Sequence, residues 1–164
     1  MKRIIAASIA VLVFSSANLA ALAPAQAAAP LACPKTEPAH PMKVNSDLGY
    51  PAPHVPAAAI FCSYDNVVNP KALLGWAKVK NPMALALAIN ASRKLPVVQN
   101  YACTADMGTT SAIIFRDTSG HLSRVVRDDF GCRILYSSLT ANKYWLGTAA
   151  ETTWDKYRRY IAQK

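Results

Sequence analysis

The chain contains four cysteines, Cys33, Cys62, Cys103 and Cys132, and disulfide formation is the chemistry that fits them best. There is no C-x-x-C pair, so a redox-active or nucleophilic thiol is not expected. The first 27 residues have the pattern of an export signal, described below, and an even number of cysteines in an exported chain is typical of structural disulfides formed in an oxidising compartment. We therefore predict two disulfides and no catalytic cysteine.

Four cysteines allow three pairings, and a hairpin predicted between the last two favours one of them. Two β-type runs around a Thr-Ser-Gly turn, within residues 111–128, predict this hairpin. If Asp117 lies opposite His121, Cys132 falls opposite residue 106, three positions from Cys103, and a modest bulge joins the two cysteines. Each bridge closes about 30 residues and contributes roughly 3–4 kcal/mol. The predicted pairs are Cys103–Cys132 and Cys33–Cys62.

The histidines, serines and glutamates do not form a recognisable catalytic or metal-binding motif. His40, His54 and His121 lack ligand spacings such as H-x-x-x-H or H-E-x-x-H. No G-x-S-x-G motif marks a nucleophilic serine, and the chain has only two glutamates, Glu37 and Glu151, for an acid pair. We therefore expect no metal, no cofactor and no catalysis. An unrecognised secreted hydrolase remains an alternative.

Basic residues are the first candidates for binding, because 18 Lys plus Arg against 9 Asp plus Glu give a net charge of +9. Arg116, Arg124 and Arg127 lie on the predicted hairpin, with Arg133 beside it, and would form a cationic stripe. Such a stripe fits an anionic envelope polymer, an acidic lipid headgroup or an acidic protein. The competing interpretation, which we favour, is a solvated face diluted by the aspartates nearby.

Aromatic residues are the second candidates for binding. Tyr144 and Trp145 follow Asn142-Lys143 and are predicted to lie in a loop, where their rings could contact a sugar or a protein. The aromatic residues of the C-terminal segment are expected to pack in the core.

The first 27 residues have the pattern of a secretory signal peptide. A basic start, Met1-Lys2-Arg3, precedes an apolar run from Ile4 to Ala23 and the cleavage sequence Ala25-Gln26-Ala27. Cleavage after Ala27 would leave residues 28–164 with a net charge of +7. The expected location is the extracellular space or the cell envelope, where nucleic acid is not an expected partner.

Two alternatives to cleavage and release are less favourable. An uncleaved membrane anchor is disfavoured because Ser15, Ser16 and Asn18 interrupt the apolar run. A lipoprotein modified at Cys33 is disfavoured because Pro30 occupies a position where a lipobox needs an apolar residue. We therefore expect no transmembrane anchor after processing.

The mature chain divides into an N-terminal arm and one domain. Residues 28–57 contain seven of the eleven prolines, which favours an extended conformation. Residues 58–164 are predicted to form a single α+β domain with a small antiparallel sheet. A composition of 52% hydrophobic and 16% charged residues is too apolar for a disordered chain.

Local patterns predict the elements of this domain. Residues 58–64 are predicted to form a buried strand, and residues 133–136 are predicted to extend the last strand of the hairpin. Residues 72–80 form a segment whose type the sequence does not determine. Asn81-Pro82 predicts the start of a helix that ends before Pro96. Thr148 and Glu151 form a capping box for a C-terminal helix. The buried face of that helix is predicted from the spacing of Ala150, Trp154, Tyr157 and Ile161.

Several short motifs resemble a group of small exported actinobacterial cysteine-containing proteins that have no assigned function. The motifs are Phe61-Cys62-Ser63-Tyr64-Asp65, Cys103 with Asp106 and Gly108, Ile114-Phe115, and Gly131-Cys132. In that group the first cysteine is followed by a basic residue, which Ser63 replaces here. The resemblance covers residues 58–136 and supplies no active site.

A second resemblance is to the Streptomyces subtilisin inhibitor family. In that family a disulfide spans a hairpin of nearly the same length, and a reactive loop follows its first cysteine. The resemblance implies a protease inhibitor that presents Thr104-Ala105-Asp106-Met107. The first cysteine pair is more widely spaced than in the family, and a helix follows Cys132. A binding or interaction protein without catalysis is therefore the leading expectation, with the inhibitor as an alternative.

Overall fold

The described part of the chain forms one antiparallel sheet and two helices, which confirms the predicted α+β class. The computed structural model describes residues 30–37, 47–65, 72–96 and 108–163. In chain order the elements are β1 (Pro56–Asp65), β2 (Leu73–Lys78), α1 (Pro82–Asn90), β3 (Arg93–Lys94), β4 (Thr109–Asp117), β5 (Leu122–Asp128), β6 (Ile134–Ser137), β7 (Thr140–Trp145) and α2 (Thr148–Ala162). The strand order is β2-β1-β4-β5-β6-β7-β3. Among these residues no helix is long and apolar enough to cross a membrane.

The central strands are buried on both faces of the sheet. On one face Phe61, Ile113 and Val125 are cross-strand neighbours and pack with the two helices in the larger core. On the other face Cys62 and Val126 belong to a second core. This arrangement explains the continuous apolar run of β1, since a strand covered on both faces shows no polar alternation.

The predicted β4–β5 hairpin is confirmed in its register. The backbone N–H of Asp117 donates to the carbonyl of His121 at 3.0 Å. The Asp117 carboxylate also accepts from the backbone N–H groups of Ser119 and His121, which closes the turn. Burial of Asp117 raises the pKa of its carboxyl, but these bonds and the nearby imidazole lower it, and the net pKa lies below its usual value.

Both predicted helices are confirmed, but the predicted cap of α2 is wrong. The Asn81 side chain accepts from the Ala84 N–H at 3.0 Å and starts α1 as expected. At α2 the N-cap residue is Gly147, with no side-chain capping bond, and Thr148 is already helical. The Glu151 carboxylate is instead paired with Arg133 at 2.6 Å. A long-range ion pair therefore replaces the local capping box.

Two expectations about the chain after β5 are wrong. Residues 133–136 do not extend β5, because Gly131 and Arg133 adopt positive φ angles of 62° and 52° and turn the chain into β6. Tyr144 and Trp145 do not lie in a loop, because they end β7, which pairs with both β6 and β3.

The first disulfide is described, and it holds the start of the arm against the sheet. Cys33 is bonded to Cys62, as predicted. The Tyr64 hydroxyl donates to the Pro34 carbonyl at 3.2 Å, and the Leu73 N–H donates to the Lys35 carbonyl at 3.0 Å. For the predicted second bridge, Cys132 is disulfide-bonded, and Cys103 lies outside the described residues.

Candidate binding groove

A groove of about 770 Å³ lies between β2, α1 and α2, a volume within the usual range of ligand sites. Its aromatic lining consists of Trp76, Tyr157 and Tyr160. Its charged lining consists of Lys78, Lys80 and Lys156, and no aspartate or glutamate lines it within the described residues. The groove therefore combines apolar surface with positive charge only.

The spacing of residues along α2 explains how this helix contributes side chains to both the core and the groove. Ala150, Trp154 and Ile161 are buried in the core. Besides Tyr157, the residues of α2 that line the groove are Ala149, Thr153, Lys156 and Tyr160, and they stand one position before Ala150, Trp154, Tyr157 and Ile161. They form an adjacent stripe of the same helix, because positions four, seven and eleven apart share a face.

The wall formed by α1 has a similar origin. Asn81 and Pro82 fix the first turn of this helix, and Leu85 is buried against the sheet. The groove side carries the small residues Ala84 and Ala88, four positions apart. Short side chains at these positions leave space that larger residues would fill.

Tyr157 fixes the groove on the side where β2 leads into α1. Its ring stacks on Phe61 with centroids 5.6 Å apart and an interplanar angle of 21°. Its hydroxyl accepts a hydrogen bond from the backbone N–H of Lys80 at 3.0 Å. These contacts connect α2 to the sheet and to the β2–α1 connection, so the groove is preorganised.

The rim of the groove is apolar and accessible. Trp76 and Leu74 of the edge strand are 56% and 55% exposed. Because Trp76 pairs with Cys62, they extend the apolar rim around the strand edge toward the sheet face opposite the helices. Tyr160 is also exposed. Clustered exposed apolar side chains of this size are typical of binding surfaces.

The predicted cationic stripe is wrong where it includes Arg127 and Arg133, and the favoured alternative, a solvated face, is wrong for Arg127. Arg127 is fully buried, and its Nη2 donates to Asp129 at 3.1 Å and to Asp155 at 2.9 Å. Arg133 is paired with Glu151 and Asp155. These two cations are neutralised within the protein and do not present a continuous positive surface.

The remaining predicted binding residues do not reach the groove. Arg116 and Arg124 pair with Ala58 and Ile114 on the sheet face opposite the helices, and both are partly buried. Tyr144 is buried, and its hydroxyl donates to the Gly49 carbonyl at 3.1 Å. Burial therefore excludes Tyr144 from an exposed binding surface.

Trp145 is the exposed member of the predicted aromatic pair. The guanidinium of Arg93 lies 5.9 Å from its ring centroid. Because β7 and β3 are at the opposite end of the sheet from β2, Trp145 belongs to a different surface from the groove. The structure does not gather the predicted residues into one site.

The predicted histidine and loop features lie elsewhere. His121 Nδ1 is 3.4 Å from Asp117 Oδ2, and within the described ranges no three His, Cys, Asp or Glu side chains group in a way that could hold a metal. The loop 104–107 that the inhibitor resemblance would use lies outside the described residues.

No protein-family model, curated protein or solved structure matches the chain. The groove is therefore the feature of the described residues that points to a function. Sequence reasoning missed the groove because its walls come from three elements, one of which, 72–80, was not assigned a type. The available signal was the second stripe on α2 at Ala149, Thr153, Lys156 and Tyr160.

Proposed function

We propose that the chain is an exported binding protein of the cell envelope or extracellular space, and that it takes an anionic, partly apolar ligand in this groove without catalysis. The observation that carries the proposal is the composition of the lining. Lys80, Lys156, Tyr157 and Tyr160 line an apolar floor, the edge-strand residues Trp76 and Lys78 border it, and no carboxylate among the described residues lines it. Lysine is a flexible point charge that attracts anions, and aromatic rings supply contact area.

Binding is favoured over chemistry by the kind of residues that line the groove. Among the described lining residues there is no histidine, cysteine or carboxylate that could serve as a general base or a nucleophile. The polar groups are lysines, Asn81, Thr153 and tyrosines. Asn81 already caps α1, and the Tyr157 hydroxyl already accepts from Lys80.

Export is supported by the leader pattern at residues 1–27 and by cysteine usage. We also propose the second disulfide, Cys103–Cys132. Cys132 is disulfide-bonded, and Cys33 and Cys62 are bonded to each other, so Cys103 is the one cysteine left in the chain. Peptide mapping of the secreted protein without reduction tests both the bridge and the start at Ala28.

The binding proposal is tested with anilinonaphthalene sulfonate, a fluorescent probe that is both aromatic and anionic. We expect the double variant Lys80→Glu with Lys156→Glu to weaken its affinity by about tenfold or more, because two attractive charges become repulsive. The matched control is Lys94→Glu with Lys143→Glu. It makes the same change of net charge at exposed positions on β3 and β7, near the other edge of the sheet.

Three results of this titration would count against the groove. Equal weakening in both double variants would mean that only net charge matters. Unchanged affinity in the groove variant would place the probe elsewhere. If the affinity does not fall as salt is added, the lysines do not attract the probe, since exposed charges are screened by salt.

A further inference from the structure

The groove lies beside an open edge of the sheet. Strand β2 is the first in the strand order and pairs with β1 alone among the described strands. An edge strand presents backbone N–H and C=O groups that can pair with another extended chain.

The hydrogen bonds of β2 identify which backbone groups face outward. The Val79 N–H donates to the Ala59 carbonyl of β1 at 3.0 Å, and Ala77 is paired with Phe61 in the same register. Because the direction of backbone groups alternates along a strand, Ala77 faces β1 as Val79 does. The N–H and C=O groups of Trp76 and Lys78 therefore face the outer edge, beside the groove.

This edge already accepts an extended segment at its other end. The Leu73 N–H donates to the Lys35 carbonyl at 3.0 Å, and Thr36 forms an antiparallel bridge with Ala72. Those contacts occupy the start of β2. The stretch from Trp76 to Lys78 continues the same edge and borders the groove.

We propose that the ligand of the groove is an extended acidic polypeptide segment that adds a strand to β2. This inference rests on the proposed function and names its partner. Backbone hydrogen bonds to Trp76 and Lys78 supply affinity, as in other cases of strand addition. The side chains of the partner then alternate between the two faces of the sheet. One set enters the groove beside Lys80 and Lys156, and the other lies beside Trp76 and Lys78, which pair with Cys62 and Ile60 on the face opposite the helices.

The charge of the groove selects this partner. Lys78, Lys80 and Lys156 favour carboxylates, while Trp76 and the exposed Leu74 favour aliphatic or aromatic side chains. A basic segment would be repelled. A single-chain anionic lipid would satisfy the charge and the apolar floor but would leave the outward backbone groups without a partner.

The experiment begins with selection of short linear peptides from a phage-displayed library on the full mature protein with its disulfides intact. We expect enrichment of peptides that combine acidic with apolar residues, because lysine and apolar side chains lie on both faces of this edge. The best peptide is then synthesised in two N-methylated forms that block alternate sets of backbone N–H groups. One form should lose about tenfold or more in affinity, because its hydrogen bonds to β2 are lost, and the other should bind like the parent.

The outcomes separate this inference from the proposed function. If both N-methylated forms bind like the parent, the peptide does not add a strand, and the inference is overturned. Selection of no peptide, or of basic ones, also overturns it. In each case, binding of anilinonaphthalene sulfonate that is weakened in the Lys80→Glu, Lys156→Glu variant would leave the proposed function intact.

Discussion

The guanidinium of Arg127 on β5 lies 5.1 Å from the ring centroid of Trp154 on α2, and both side chains are fully buried. The charge is balanced by Asp129 and Asp155. Asp129 also accepts hydrogen bonds from the hydroxyls of Thr109 and Ser111. This cluster connects the β4–β5 hairpin to α2, the helix that forms one wall of the groove.

Replacing Arg127 should strongly destabilise the protein. In Arg127→Leu the carboxylates of Asp129 and Asp155 would lose their main counter-charge, and breaking a buried ion pair in this way costs about 3–5 kcal/mol. Urea unfolding of the oxidised protein measures the loss. The control is Arg159→Leu on the exposed side of α2, which should change the free energy of unfolding by only about 0.5 kcal/mol or less. Equal unfolding midpoints for the two variants would contradict the prediction.

The same cluster should make stability fall in acid through Asp155. Burial raises the pKa of the Asp155 carboxyl, but the hydrogen bond from Arg127 and the charges of Arg127, Arg133 and Arg158 lower it, and the net pKa lies below the ordinary 3.8. The unfolded chain therefore takes up the proton first. The stabilisation is fully present above the ordinary pKa and is lost as pH falls through the folded-state value.

The measurement is the free energy of unfolding of wild type and of Asp155→Asn at a series of pH values. The advantage of wild type should be constant near neutrality and should shrink as the pH falls from about 5 to about 2. An advantage that does not vary with pH would show that Asp155 acts through packing alone.

Features governed by local physics were predictable from the sequence. The β4–β5 register follows from a short turn closed by Asp117, and the start of α1 follows from Asn81 and Pro82. The buried face of α2 follows from the 3.6-residue period of Ala150, Trp154 and Ile161. In each case the interacting groups lie within a few residues or share one periodic face.

Features that depend on distant partners were not predictable. From the sequence alone Arg127 is expected to be a surface cation. In the fold Asp155, 28 residues later in the chain, lies beside it and pairs with it. Glu151 is expected from the sequence to cap α2, but in the fold its carboxylate pairs with Arg133. The groove was missed for the same reason, since Trp76, Ala84 and Tyr160 come from three separate elements. Long-range pairing overrides the local preference at each of these sites.

The Cys33–Cys62 bridge should stabilise the domain substantially. It closes a loop with a sequence separation of 29, for which the loss of unfolded-state entropy corresponds to about 3–4 kcal/mol. We expect Cys33→Ala with Cys62→Ala to lower the free energy of unfolding by this amount. Leu31 packs on the same face as the bridge. The variant Leu31→Ala, in which the disulfide is retained, therefore measures the stability lost through packing without the loss of the cross-link. A double cysteine variant no less stable than Leu31→Ala would contradict the entropic contribution.

The close approach of β2 and α2 predicts strong coupling between Gly75 and Ile161. A Cβ added at Gly75 would lie 2.7 Å from Cγ2 of Ile161, a side chain buried in the core, so Gly75→Ala forces the helix or the strand to move. We expect a loss of about 1–3 kcal/mol, which is typical of overpacking. In an Ile161→Ala background the obstructing atom is gone, and the same glycine change should be neutral or slightly stabilising, because alanine lowers the entropy of the unfolded chain. Thermal unfolding of the four proteins in this cycle measures the coupling. Additive effects would mean that α2 does not pack against β2 at this distance, and the groove between them would then have a different shape.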